Sequence, residues 1–108
     1  MYAVTENQIS LDDGTELQTF TRDVVNANII TVEAGTTGYK GGDSGHGGRT
    51  YIRLEDSAGT DITINPIKNM GNGGVEIILG GDAELETIIT SLKFIIKVLE
   101  DQSNEVND

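Results

Sequence analysis

The sequence predicts an α+β fold: a mostly antiparallel sheet with one long C-terminal helix packed on it. Three observations predict this. Segments of alternating polar and apolar residues recur through the first two thirds of the chain. Turn-forming residues punctuate them. The last third switches to helical spacing. No internal repeat and no inter-domain linker is evident. The 108 residues are therefore expected as one domain over 1–101, with a frayed acidic tail at 102–108.

Gln8 to Leu11 alternates, Asp12-Asp13-Gly14 turns the chain, and Thr15 to Phe20 is rich in β-formers, which together predict a hairpin. Asn28 to Glu33 and Arg49 to Leu54 read as further strands. Asp56 to Gly59 reads as a turn, Thr60 to Ile64 as a strand, Asn69 to Gly74 as a turn or loop, and Val75 to Leu79 as the last strand. Pro66 is placed just after a strand, where a missing N–H does least harm. Gly80-Gly81 ends the sheet region. Asp82 suits the N-cap of the helix, and Glu84 and Glu86 suit the positive end of its dipole. Leu85, Ile88, Ile89, Leu92, Ile95, Ile96 and Leu99 fall within roughly 120° of a helical wheel and are expected to face the sheet. Phe94 and Val98 lie on another side. They are either incidental exposed apolar residues or an oligomer interface.

Composition excludes several functions. The chain has no cysteine, so it has no disulfide framework, thiolate metal site or catalytic thiol. One histidine cannot build a multi-histidine metal centre within the chain. A formal charge of −11 argues against binding a DNA or RNA polymer, which needs many Lys and Arg on phosphates. No apolar run is long enough to span a membrane, and the first residues lack the blocks of a signal peptide. A cytoplasmic protein without a cofactor or metal is the expectation.

The candidate site lies between Glu33 and Arg53. Six glycines fall within the eleven residues from Gly38 to Gly48, which lets a ligand approach the backbone closely. Residues 37–53 carry Lys40, Arg49 and Arg53 against Asp43, a net of +2, while the rest of the chain carries −13. Such a cationic island favours a small phosphate-bearing ligand over a polyanion. Arg49, Tyr51 and Arg53 are spaced to project from one face of a strand, with Thr50, Ile52 and Leu54 on the other. The arginines suit phosphate, and Tyr51 and Tyr39 suit stacking on a base. The bland alternative is a solvated strand face whose cations pair with Glu55, Asp56 or Asp61. His46, between glycines, reads as a loop or ligand contact rather than an acid–base catalyst.

Gly42-Asp43-Ser44-Gly45 matches the string around a trypsin-like nucleophile. The only histidine is two residues away, where it cannot converge on the serine as a triad base. No P-loop, dinucleotide fingerprint or EF-hand spacing is present.

The run Glu33-Ala34-Gly35-Thr36-Thr37-Gly38, then Gly41-Gly42-Asp43, then His46-Gly47-Gly48-Arg49-Thr50-Tyr51, followed by a C-terminal Gly-Gly-Asp helix, resembles phage-encoded anti-defence sponges of the Thoeris anti-defence type. The resemblance covers roughly residues 33–100. It implies a compact, oligomeric, non-enzymatic protein in the infected bacterial cell. Such a protein sequesters a cyclic nucleotide or ADP-ribose-derived immune signal without cleaving it. On that reading, the backbone N–H groups of Gly45 to Gly48, with Arg49 and Arg53, would hold phosphates. Tyr39 or Tyr51 would stack on a base, and Thr36, Thr37 or His46 would read hydroxyls. Sponges bind at subunit interfaces, which would give Phe94 and Val98 a role. The alternative is an acidic protein–protein inhibitor that imitates nucleic acid, as some anti-CRISPR proteins do.

Overall fold

The computed structural model describes residues 4–42, 46–58, 62–69 and 72–107. Each alternating segment forms a strand, and the chain is α+β as the sequence predicts. The strands are β1 (Val4–Ser10), β2 (Glu16–Val25), β3 (Ile29–Thr36), β4 (Thr50–Ala58), β5 (Ile62–Asn69) and β6 (Asn72–Leu79). They precede one helix, α1 (Asp82–Asn107). β1 to β4 form an antiparallel meander, and β5 and β6 form a separate two-stranded hairpin. The molecule is 19 Å thick, the depth of a sheet and one helix layer.

Turn chemistry accounts for the first hairpin. Gly14 adopts φ of 89°, and Asp13 Oδ1 accepts the Thr15 N–H at 3.0 Å. Two turns are shorter than their composition suggests. Asp56, Ser57 and Ala58 continue β4, and Asn69 pairs with Asn72 to close the second hairpin. Pro66 lies within β5 opposite Val75, in a hairpin whose outer edges carry no strand, so its missing N–H breaks no sheet interior.

One face of the meander carries α1. Val24, Ile30, Val32 and Ala34 meet Ile62, Ile95 and Val98 there to form the core. The helix is rotated about 100° from its predicted orientation, at 100° per residue. Its buried face is Glu84, Thr87, Ser91, Ile95, Val98 and Gln102, while Leu85, Ile89, Leu92 and Ile96 are exposed. Small side chains line the contact of α1 with β3, and each buried polar one has a bond. Thr87 and Ser91 donate their hydroxyls to the carbonyls of Ala83 and Thr87, at 2.9 and 2.7 Å. Asn28 donates to the Glu84 carboxylate at 3.0 Å.

Phe94 and Val98 therefore do not form the exposed interface expected of them. Val98 is buried in the core, and the half-buried Phe94 ring lies 6.0 Å from the Arg22 guanidinium carbon. The chain also does not fray after Asp101. Gln102 is buried, its Oε1 accepts the Thr36 N–H at 2.8 Å, and its Nε2 donates to the Gln18 carbonyl at 3.1 Å. The β2–β3 ladder ends at Phe20 and Ala34, and this side-chain amide bridges the two strands beyond it. Among the described residues, no helix is long and apolar enough to cross a membrane.

Candidate functional site

The glycine-rich loop leaves β3 at Thr36 and re-enters at β4, and hydroxyls close its neck. Thr36 Oγ1 donates to the Arg49 carbonyl at 3.1 Å, lies 2.9 Å from Thr50 Oγ1 and accepts the Gly38 N–H at 3.0 Å. Thr37 donates its N–H to the Arg49 carbonyl at 2.9 Å, and its Oγ1 accepts the Arg49 N–H at 2.8 Å. Both threonines were expected to read ligand hydroxyls. Their side chains are committed to the neck instead. Gly38 and Gly41 adopt φ of 82° and 77°, and a Cβ on Gly48 would run into the Gly38 carbonyl.

The loop and the C-terminal half of α1 together border an open cavity of about 470 Å³. Thr36, Gly38, Tyr39, Lys40 and Gly48 line it from the loop side. Thr50, Leu99 and Ser103 line it from β4 and α1. Tyr39 and Lys40 are both exposed at its edge. Leu99 and Ser103 were not anticipated as lining residues. Their signal is the Gln102 clamp, which fixes this end of the helix beside Thr36 and is invisible in local sequence patterning.

Arg49, Tyr51 and Arg53 lie on the opposite side of the sheet. The register puts Tyr51 and Arg53 on one face, since Arg53 pairs with Glu33 and Tyr51 with Gly35, while Thr50, Ile52 and Leu54 point to the helix side. Arg49, just before the ladder, joins them through its bond to Asp13, which borders a hollow with Tyr51. Neither arginine is available as a phosphate grip. Arg49 Nε binds Asp13 Oδ2 at 2.7 Å, and its Nη1 donates to the carbonyls of Gly47 and Gly48 at 3.3 and 3.2 Å. Gly47 and Gly48 thus turn carbonyls toward a cation. The Arg49 bond, helped by the Thr15 N–H, holds the Asp13 carboxyl well below the usual carboxylate range.

Arg53 Nε binds the buried Glu33 at 3.1 Å, and its Nη1 binds Glu55 at 2.8 Å. Burial opposes the Arg53 charge, but the Glu33 bond and the fields of Glu33 and Glu55 outweigh it and raise its pKa. Thr19 completes this cluster by donating to Glu33 at 2.5 Å. Tyr51 borders a second hollow with Asp12 and Asp13, whose carboxylates disfavour an anion. The predicted cationic island is thus divided by the sheet and neutralised on its far side.

His46 is exposed in the loop and makes an interaction of its own. Asp43, Ser44 and Gly45, the remaining residues of the predicted motif, lie outside the described residues. Among the described residues, no group of three or more His, Cys, Asp or Glu is placed to hold a metal. Comparison with protein-family models, curated proteins and solved structures returns no match.

Proposed function

We propose that this chain is a non-enzymatic binding protein that captures a small nucleotide-derived signal, such as a cyclic nucleotide or an ADP-ribose derivative, in the cavity beneath the glycine-rich loop. The observation that carries the reading is the meeting of Tyr39 and Lys40 at the mouth of a cavity of about 470 Å³. That volume suits one small ligand. Lys40 supplies an ammonium for a phosphate, and the Tyr39 ring supplies a stacking surface. The glycines at its rim let the ligand reach the backbone. Arg49 and Arg53 have no part in this grip.

The test is a thermal-shift and equilibrium-dialysis panel of cyclic nucleotides and ADP-ribose derivatives. A ligand should bind, return chemically intact, and lose about tenfold or more in affinity with Lys40→Ala. A panel with no binder, or binding unaffected by Lys40→Ala and Tyr39→Ala together, would overturn the site.

One observation favours a second reading. Arg49, Arg53 and Lys97 are each paired with carboxylates of the same chain, and the chain keeps a net charge of −11. That suits an inhibitor of a basic protein surface. Steeply salt-dependent binding to a basic partner, with no small-ligand shift, would select it.

A further inference from the structure

Leu85, Ile89, Leu92 and Ile96 of α1 are 56%, 42%, 47% and 55% exposed. Their spacing is four, three and four, the alternation of a heptad seam with Leu at d and Ile at a. Four large aliphatic side chains in one line make a contiguous apolar surface of the kind that marks an interaction site. We propose that a second copy of the chain covers it, with two α1 helices packed antiparallel about a two-fold axis. The proposal is independent of the cavity and its ligand.

The flanking charges select the direction. Glu86 and Lys93, both exposed, occupy e positions. The corresponding g positions hold Ile88 and Ile95, which turn into the chain's own core. A parallel pair sets e against g of the partner and leaves these charges unanswered. An antiparallel pair sets e against e.

The charges also select the register. Seating Leu85 on the partner's Ile96 and Ile89 on the partner's Leu92 uses all four seam residues. It places Glu86 opposite the partner's Lys93, and symmetry repeats the pair. Sliding by one heptad in one direction sets Lys93 against the partner's Lys93 and Glu86 against the partner's Glu100. Sliding in the other sets Glu86 against the partner's Glu86. Among the described residues Glu86 is engaged through Oε2, by Asn26 at 3.3 Å, which leaves Oε1 for the contact. Apolar seam and charge pattern therefore agree on one arrangement.

Light scattering and sedimentation equilibrium on the full chain test this. The wild type should have twice the 11.5 kDa chain mass at about 100 μM. Leu92→Glu should be monomeric with an unchanged circular dichroism spectrum, because the side chain is exposed. Glu86→Lys and Lys93→Glu should each raise the dimer dissociation constant about tenfold, and the double exchange should restore it to within about threefold. A monomeric wild type, a mass above the dimer, a Leu92→Glu variant that keeps the dimer, or a double exchange that fails to restore it would each overturn the proposal.

Discussion

The side of α1 pressed on the sheet carries Glu84, Thr87, Ser91 and Gln102 beside Ile95 and Val98, whereas a flanking side carries Leu85, Ile89, Leu92 and Ile96 in solvent. The first set is the more polar and the better buried. Small side chains at Thr87 and Ser91 let the helix axis approach β3, and their hydroxyls return to the helix's own carbonyls. Glu84 and Gln102 receive partners from Asn28 and from the strands. Burying the neutral groups costs little because each is answered, and the Glu84 carboxylate takes the Asn28 amide. Among the described residues the aliphatic side is left largely exposed. The difference teaches that contact geometry and satisfied bonds decided which side of this helix faces the sheet, ahead of hydrophobicity.

Removing the bridge breaks the comparison most severely. Gln102→Leu keeps the bulk but leaves the Thr36 N–H and the Gln18 carbonyl without their side-chain partner. Urea denaturation should show a loss of about 2–4 kcal/mol. A loss below about 0.5 kcal/mol would mean that the polar side is not held by its bonds. The next effect tests close approach. Ser91 is fully buried, so Ser91→Leu should cost about 1–3 kcal/mol through overpacking. Ser91→Ala, which loses only a bond to the helix's own Thr87 carbonyl, should stay within about 0.5 kcal/mol.

The same contrast explains what was legible in the sequence. Strands could be read because alternation is local, and the Asp13-Gly14 turn because φ of 89° at Gly14 is a property of that residue. The helix could be located but not oriented. Counting aliphatic residues finds its seam, while the bonds that orient it join Gln102 to Thr36 and Gln18, far away in the chain. The candidate site divided in the same way. Tyr39 and Lys40 could be found from the glycine loop around them, and the cavity includes both. Charge and strand spacing together point Arg49 and Arg53 to a phosphate. Glu55, two residues from Arg53, is the local partner that the alternative reading names, whereas Asp13 and Glu33 lie 36 and 20 residues from their arginines, and no local count of charge reveals them.

On the exposed side the expected effects on the single chain are small. Leu92→Ser, measured at concentrations where the chain is monomeric, should change stability by no more than about 0.5 kcal/mol. The same substitution should abolish self-association. A loss above about 2 kcal/mol in the monomer would place Leu92 in the chain's own core and remove the contrast between the two sides.

The smallest effect lies on the third, charged side of the helix. Lys97 Nζ is 2.9 Å from Asp101 Oδ2, with both side chains more than half exposed. Water and salt screen such a pair, and ordering two mobile side chains offsets part of the attraction. A double-mutant cycle with Lys97→Gln and Asp101→Asn should give a coupling of about 0.3–0.5 kcal/mol at low ionic strength, falling toward zero in about 1 M salt. The Gln102 bridge, one residue further on, should keep its full effect in the same salt, because neutral amide bonds buried between strands are not screened. If salt weakened both alike, the hold of α1 on the sheet would be electrostatic, and its buried polar side would owe its place to charge rather than to matched hydrogen bonds.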